Sequence, residues 1–197
     1  MREILLATRN RGKVEELKAH LAGLPARLHT FDELSLPPAS ETGSTFEENS
    51  RIKALHFSHL VDYLVLADDS GLEVEVLGGE PGVHSARFGG PGASDQQRCQ
   101  LLLKRLEGTA WEDRRARFVC AVVLAQKGKV VKIFRGEVDG IIAFAPRGSS
   151  GFGYDPIFYY PHAAKTFAEM TAEEKLEISH RGVALDQCVR YLEELET

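Results

Sequence analysis

The first part of the chain combines short apolar runs with one stretch of helical periodicity. The apolar run EILLAT (3–8) ends in polar residues and predicts a strand. Apolar residues then recur at helical spacing within RGKVEELKAHL (11–21), which predicts a helix after a tight loop. RLHTF (27–31) favours a second short strand, so we expect the chain to begin with a strand, a helix and a strand.

A proline-rich stretch, LSLPPASETGS (34–44), predicts a loop before the second helix. We expect this helix to begin at Ser44 or Thr45, because Glu47 and Glu48 stand three positions after them and complete possible capping boxes. The helical periodicity covers TFEENSRIKALHFSHLV (45–61). The residues expected to face inward are Phe46, Ile52, Leu55 and Leu60.

Two adjacent acids stand between two stretches with different strand patterns. YLVLA (63–67) is a continuous apolar run and predicts a buried strand, whereas LEVEV (72–76) alternates and predicts a strand with one wetter face. Successive strand residues point to opposite faces, so Asp68 and Asp69 can address one ligand only where the strand ends. The Ser-Gly pair that follows them predicts such an end.

The second half of the chain predicts another helix, a long hairpin and a terminal helix. SDQQRCQLLLKRL (94–106) favours a helix capped by Ser94, and the stretches 116–126 and 129–144 flank a Lys-Gly turn as an antiparallel hairpin. DQCVRYLEEL (186–195) has the pattern of an amphipathic helix. Strands that first alternate with helices and then pair as neighbours favour an α/β fold, a mixed sheet with helices on both faces.

Composition limits the number of domains and the kinds of partner. A chain of 197 residues with 43% hydrophobic and 27% charged residues is typical of a single domain over 1–197, with at most two lobes sharing a core. The formal net charge of −5 argues against general binding to nucleic acids or anionic membranes. No stretch has the pattern of a signal peptide or a membrane span, which favours a cytoplasmic protein. The 3 widely spaced cysteines favour neither a disulfide framework nor a zinc site.

Several polar groups have the chemistry of a metal and phosphate site. At a strand end, one of Asp68 and Asp69 can bind Mg²⁺ or orient water while the other holds backbone N–H groups. TRNRGK (8–13) lies between a predicted strand and helix, where backbone N–H groups, the helix dipole and Lys13 favour a phosphate. It differs from the Walker and G-x-G-x-x-G patterns. Lys53, on the second predicted helix, is a further candidate for this site.

Two later motifs have the chemistry of base recognition. GSSGFGYDPIF (148–158) combines glycines that allow close backbone approach with aromatic faces suited to base stacking, although a hairpin loop with packed aromatics gives the same pattern. EEKLEISHRG (173–182) brings three donors together, Lys175, His180 and Arg181. A bidentate arginine suits O6 and N7 of a 6-oxopurine and opposes the exocyclic amine of adenine, which predicts selectivity against adenine.

Four separated motifs follow one another along the chain: TRNRGK, ADDSGLEVEVLGGEPGVHSARF, GFGYDPIF and EKLEISHR. Through them the sequence from 5 to 185 resembles the inosine/xanthosine triphosphate pyrophosphatase family. The resemblance implies hydrolysis of the non-standard purine nucleoside triphosphates ITP, dITP and XTP to the nucleoside monophosphate and pyrophosphate. It also implies Mg²⁺ as the cofactor, a homodimer, and an elongated mixed sheet with two lobes around an active-site cleft.

The same resemblance implies roles for individual residues. Asp69 corresponds to the catalytic acid/base and, with Glu41, to the metal ligands. The residues implied to bind substrate are Thr8, Asn10, Lys13, Lys53, Ser70, Phe152, Gly153, Tyr154, Asp155, Lys175, His180 and Arg181.

Two other classes of function stay open from the residues alone. A nucleotide-binding regulator without turnover would keep the basic and aromatic groups but would not need the carboxylates. A nucleic-acid-binding module is disfavoured because 24 basic residues are outnumbered by 29 acidic ones. His56 and His59 have helical spacing suited to a metal, but no third ligand is evident for them.

Overall fold

The computed structural model describes residues 1–31, 33–34 and 36–195. Its strands are β1 Arg2–Leu6, β2 Ala26–His29, β3 Leu64–Val74, β4 Arg115–Gln126, β5 Lys129–Ile142, β6 Phe158–Tyr160 and β7 Lys165–Thr166. Its α-helices are α1 Arg11–Leu21, α2 Phe46–Ser58, α3 Asp95–Arg105, α4 Ala172–Ile178 and α5 His180–Glu194. Asp32 and Ser35 lie outside the described residues, and Ser35 belongs to the stretch predicted as a proline-rich loop.

Over the described residues, the strands form one 7-stranded sheet in the order β2-β1-β3-β4-β5-β6-β7. β1 runs parallel to both β2 and β3, whereas β6 is antiparallel to β5 and β7. β4 and β5 are joined by Lys127 and Gly128, both with positive φ (50° and 73°), as in a two-residue hairpin turn. The predicted α/β class with a mixed sheet and a long hairpin is therefore confirmed.

The prediction that a strand ends beside the two acids is wrong. β3 runs without a break from Leu64 to Val74, so Asp68 and Asp69 lie in the middle of one strand. The pairing with β1 covers only Leu64–Leu66, so the neighbour of the strand beyond it is β4. Each acid also finds cationic partners on its own face. The Ser-Gly pair accordingly belongs to the strand and does not form a turn.

The second helix begins where predicted but buries a different face. Thr45 is the N-cap, accepting a hydrogen bond from the backbone N–H of Glu48 at 3.1 Å. Leu60, expected to face inward, follows the end of α2 and is 46% exposed, while Phe46 is buried as predicted. Ile52 and Leu55 are only partly buried. The buried face instead includes the polar side chains Asn49, Ser50 and Lys53.

The ends of other elements differ from their predicted positions. β2 covers Ala26–His29 rather than 27–31, and α5 begins at His180 rather than at residue 186. The short elements β6, β7 and α4 carry too few residues to show a periodicity in the sequence. Among the helices of residues 1–31, 33–34 and 36–195, none is long and apolar enough to cross a membrane.

The chain divides into two compact units. Unit 1 comprises residues 1–69, 120–136 and 180–197, and unit 2 comprises residues 70–119 and 137–179. β3, β4 and β5 each pass from one unit into the other. The single domain over 1–197, and the arrangement of two lobes around a cleft, stay predictions.

The core of unit 1 lies on both faces of the sheet. Leu64 and Leu66 of β3 pack with Leu17 of α1 and Leu185 of α5 in one apolar cluster. The residues of opposite parity, such as Val65 and Ala67, pack with Ala54 and Phe57 of α2 in a second cluster. This alternation follows from the two-residue side-chain period of a strand and gives helices on both faces, as predicted.

Unit 2 has its own apolar cluster. It joins β3, β4 and α3 through residues such as Leu72, Phe118 and Leu102, all of them buried. Phe158 and Phe167 add aromatic contacts, with ring centroids 4.8 Å apart. These contacts hold the segments that follow β5 and precede α4.

Candidate active site

The parity of β3 sends its two acids to opposite faces of the sheet. Asp68 shares the parity of Leu64 and Leu66, whose cluster includes α1 and α5, and Asp69 shares that of Val65 and Ala67, which pack with α2. The two carboxylates therefore form ion pairs with different elements, Asp68 with α1 and α5 and Asp69 with α2. The sequence could not separate the roles of the two acids, and the structure gives them different surroundings.

Asp68 lies at the centre of a buried charge cluster. Its Oδ2 is 2.8 Å from Nζ of Lys13 on α1 and 3.3 Å from Nε of Arg181 on α5. Arg181 also donates to the carboxylate of Glu16. Burial alone would raise the pKa of Asp68, but Lys13 and Arg181 outweigh it and hold this pKa well below its usual range. The ionised form of Asp68 is therefore favoured, and it binds two cations.

Asp69 has a different electrostatic environment on the α2 face. Its Oδ1 is 3.4 Å from Nζ of Lys53, and the same ammonium group is 3.3 Å from Oε2 of Glu41. Burial raises the pKa of Asp69 above its usual value, since the attraction of Lys53 and Lys13 offsets it only in part. Oδ2 of Asp69 is buried and has no hydrogen-bond partner among the described residues. This oxygen is the acceptor that a water or a cation would use.

Glu41 and Asp69 have the chemistry to hold a divalent cation. Within the described part of the chain, no group of three or more His, Cys, Asp and Glu side chains is arranged to hold a metal ion. Mg²⁺, however, is usually bound by one or two carboxylates together with waters and substrate phosphates. The two carboxylates share Lys53 as a partner, and Oδ2 of Asp69 lacks one among the described residues. They fit Mg²⁺ in donor type and number.

The segment between β1 and α1 places backbone donors beside this charge cluster. Asn10 is the N-cap of α1, and its Oδ1 accepts from the backbone N–H of Lys13 at 3.1 Å. Thr8 Oγ1 accepts from the backbone N–H of Asn10 at 3.2 Å. Thr8 also lines a cavity of about 140 Å³ together with Glu41 and Lys53. The predicted phosphate residues of unit 1 thus lie around one helix N-terminus and one small cavity.

In unit 2, the glycine-rich motif forms a tight loop over residues 151–155, here called the base loop. Asp155 organises it, because its Oδ2 accepts from the backbone N–H of Phe152 at 2.9 Å and from Nζ of Lys175 at 2.5 Å. The ammonium group of Lys175 also lies 4.7 Å from the centre of the Phe152 ring. Gly151 has φ +75°, and a Cβ there would meet the carboxylate of Asp155, so this position requires glycine.

The base loop contains two buried side chains and two residues that are partly exposed. Asp155 and Tyr154 are 2% and 4% exposed. The hydroxyl of Tyr154 donates to the carbonyl of Ser85 at 2.9 Å, and burial raises the pKa of this phenol. Phe152 and Gly153 are only half-buried. The aromatic face that this loop offers for stacking therefore belongs to Phe152, and Tyr154 supports the loop from inside.

The remaining predicted residues are placed as follows. Lys175 lies in unit 2 against Asp155, whereas His180 and Arg181 begin α5 in unit 1 and are buried. Arg181 is bound to the carboxylates of Asp68 and Glu16. Ser70 is half-buried on β3, in unit 2. The structure thus groups Arg181 with the acids, although the motif predicted it for base recognition.

Two supporting residues were missed in the sequence. Glu16 follows Lys13 by three positions on α1, and this helical spacing was the signal that both side chains serve the same cluster. Asn49 precedes Lys53 by one helical turn on α2, is 1% exposed, and its Oδ1 accepts from the backbone N–H of Gly43 at 2.8 Å. That bond fixes the segment carrying Glu41 against α2.

Comparisons with known proteins identify the family. The model of the Ham1 family matches residues 4–191. A protein of Thermus thermophilus named dITP/XTP pyrophosphatase is 51% identical over 183 residues, which cover 93% of this chain and 88% of that protein. A protein of the same name from Geobacillus kaustophilus is 46% identical over 196 residues, covering 99% of this chain and 96% of that protein.

Solved structures agree with this assignment at the level of the fold. A HAM1 protein from Coxiella burnetii superimposes with a TM-score of 0.90 at 43% identity, covering 98% of this chain and 100% of that chain. The Ham1 protein of Staphylococcus aureus gives a TM-score of 0.88 at 41% identity, covering 98% of this chain and 99% of that chain. With motifs, fold and relatives in agreement, the chain belongs to the Ham1 family.

Proposed function

We propose that this protein hydrolyses the non-canonical purine nucleoside triphosphates ITP, dITP and XTP to the nucleoside monophosphate and pyrophosphate. The observation that carries the proposal is 51% identity over 93% of the chain to a protein named dITP/XTP pyrophosphatase. The paired acids of β3, each with its own lysine, supply the chemistry that this reaction needs. Such an enzyme removes damaged purines from the nucleotide pool.

The triphosphate requires cations, since it carries about four negative charges that repel an attacking water. Lys13 and Lys53 lie at neighbouring carboxylates in unit 1, and the N-terminus of α1 adds backbone N–H groups. In the proposed complex these lysines bind phosphate oxygens, with Thr8 and Asn10 lining the same segment. Asp68 holds Lys13 in place for this purpose.

We assign Mg²⁺ to Glu41 and Asp69. Bound there with the substrate, it would neutralise phosphate charge and so make the phosphorus more electrophilic. The support is the donor set, two carboxylates with one buried oxygen that has no partner among the described residues. Lys53, which bridges these carboxylates at 3.3 Å and 3.4 Å, can turn its ammonium group from them to a phosphate oxygen.

Asp69 is proposed to orient and deprotonate the attacking water. Its carboxylate accepts a hydrogen bond from the water, whose oxygen forms a bond to the α-phosphorus. The bond from that phosphorus to the bridging oxygen of the β-phosphate breaks, pyrophosphate leaves, and Asp69 receives the proton. No covalent intermediate with the protein is required.

Base recognition is assigned to the base loop and the residues of the last motif. Phe152 offers a half-exposed ring for stacking, with Gly153 beside it, and Tyr154 and Asp155 support them. The further substrate contacts proposed from the family motif are those of Ser70, Lys175, His180 and Arg181. The contact of Arg181 is proposed from that motif alone, since its guanidinium group is 2% exposed and binds the carboxylates of Asp68 and Glu16.

The oligomeric state and the cellular location proposed for this protein rest on the family resemblance. We propose a homodimer that acts in the cytoplasm. Size-exclusion chromatography with light scattering tests the first point, with an expected mass of twice the chain mass of 21.8 kDa. A mass of one chain across the working concentrations would contradict it.

The reaction is tested with a panel of ITP, XTP, GTP and ATP, with Mg²⁺ or with EDTA, measuring pyrophosphate and orthophosphate separately. We expect pyrophosphate from ITP and XTP, formed much faster than from ATP and lost with EDTA. Orthophosphate as the first product would mean attack at the γ-phosphate and would refute the proposed reaction. Tight binding of ITP in calorimetry without any product would favour a regulator instead.

A further inference from the structure

Asp95 on the first turn of α3 lies outside the motifs that resemble the family, yet it binds the base loop directly. Its Oδ2 accepts from the backbone N–H of Gly153 at 2.7 Å, and its Oδ1 accepts from Nη2 of Arg98 at 2.5 Å. The carboxylate thus joins the helix to the loop backbone through a charge-assisted hydrogen bond. Cys99, on the same face of α3, adds a weaker bond from Sγ to the carbonyl of Gly153 at 3.3 Å.

Arg98 extends the connection to a second segment, the 3₁₀ helix Gly82–Arg87. Its Nη1 donates to the carbonyl of Ala86 at 3.1 Å and to that of Ala93 at 2.5 Å. Tyr154 of the base loop reaches the same segment through the carbonyl of Ser85. Asp95 and Arg98 therefore hold two loops of unit 2 together from one helix.

The contact to Gly153 leaves one side of that residue open. Gly153 has φ +64°, and a Cβ placed on it would meet nothing within 4 Å. Its N–H is used by Asp95, so it cannot also donate to a purine. The backbone is thus fixed from the side of α3, and the space in which a side chain at Gly153 would lie is open.

We propose that Asp95 is a positioning residue for base recognition. Its bond to Gly153 holds the Phe152-Gly153 backbone in the position that binding of a purine ring requires. This inference rests on the proposed function. Asp95 acts through the backbone of Gly153 and does not touch the substrate. The bond to Gly153 carries the effect, because a partly exposed ion pair such as that with Arg98 contributes little.

The test compares three variants of the full chain. Asp95→Ala removes both contacts, and Asp95→Asn keeps an oxygen that can accept from Gly153. Ser94→Ala is the matched control, because it removes the N-cap of the same helix, whose Oγ accepts from the N–H of Gln97, and leaves the bond to Gly153 intact. Helix destabilisation is thereby separated from loss of the loop contact.

In steady-state kinetics with ITP and ATP, we expect Asp95→Ala to raise KM for ITP about tenfold with a much smaller change in kcat, since it weakens positioning rather than the chemical step. The preference for ITP over ATP should fall with it. Asp95→Asn should recover most of the wild-type KM, and Ser94→Ala should stay within about twofold of wild type. Unchanged KM in Asp95→Ala, or an equal rise in Ser94→Ala, would overturn the proposal.

A second measurement needs no turnover. Amide hydrogen exchange of Gly153, followed by NMR without nucleotide, should be about tenfold faster in Asp95→Ala than in wild type or Ser94→Ala, since the N–H loses its acceptor. Unchanged exchange in Asp95→Ala would show that Asp95 does not hold the loop. If the wild-type protein failed to hydrolyse ITP, the proposed function would fail, and this exchange would still decide whether the contact exists.

Discussion

At the scale of single residues, two adjacent aspartates acquire opposite properties from the faces they occupy. Asp68 is 1% exposed and bound by two cations, which lower its pKa, whereas burial raises the pKa of Asp69. Each of the two has one carboxylate oxygen without a hydrogen-bond partner among the described residues. Only Asp69, however, forms an ion pair with Lys53, which also pairs with Glu41. We infer that Asp68 fixes Lys13, which is proposed to bind phosphate, and that Asp69 performs the chemistry.

This division predicts different defects for the two asparagine variants. Asp69→Asn should lower kcat for ITP by about a hundredfold or more while nucleotide affinity persists, because the amide is not a base.

Asp68→Asn should lower the free energy of unfolding by about 3 kcal/mol, because it leaves Lys13 and Arg181 without their shared buried anion. Turnover, calorimetry and urea denaturation of both variants provide the measurements.

Each variant is the control of the other, since both replace one carboxylate by an amide of the same size on the same strand. Near-normal turnover of Asp69→Asn would exclude it as the base. If Asp68→Asn lost turnover without losing stability, the two roles would have to be exchanged.

At the scale of elements, a close contact between β5 and α5 sets the position of the last helix. Gly136 of β5 is buried, and a Cβ there would meet the backbone carbonyl of His180, the backbone nitrogen of Ala184 at 2.7 Å and the side chain of Val183. Two of these are backbone atoms of the helix, which cannot move aside as a side-chain end does. Since α5 carries Arg181, the absence of a side chain at Gly136 allows that arginine to reach Asp68.

We therefore expect Gly136→Ala to lower the free energy of unfolding by about 2 kcal/mol through overpacking. Gly23→Ala is the matched control, because the same change there meets nothing within 4 Å and needs no positive φ. It should change stability by less than about 1 kcal/mol, in the stabilising direction. Urea denaturation of both variants gives the comparison, and equal stabilities would mean that α5 tolerates a shift away from β5.

At the scale of the whole molecule, all the cysteines of the chain lie in apolar interiors. Cys120 and Cys188 are buried in the core of unit 1 and Cys99 in that of unit 2. Burial raises the pKa of each of these thiols to about 12. The thiolate is the reactive form, so at pH 8 only about one thiol in ten thousand would be ionised at such a pKa.

The folded protein should therefore be inert to Ellman's reagent at pH 8 over minutes. Unfolding in guanidinium chloride returns the thiols to water, where their pKa falls toward the ordinary value of about 8.5, and all 3 should then react. The unfolded sample is the control for the thiol count. Fast reaction of one thiol in the folded protein would show that its unit opens locally.

The sequence by itself determined the α/β class, the helices α1 and α3, the long hairpin and the family, because these depend on local periodicity, capping residues and motifs that residues close in the chain define. Only the tertiary structure decided that β3 continues through the acids, that α2 buries Lys53 and exposes Leu60, and that Arg181 binds Asp68. These outcomes depend on partners far away along the chain, as with the separation of 113 between Asp68 and Arg181. A buried charge is stable only where such distant partners neutralise it, and no local pattern records which partner the fold will supply.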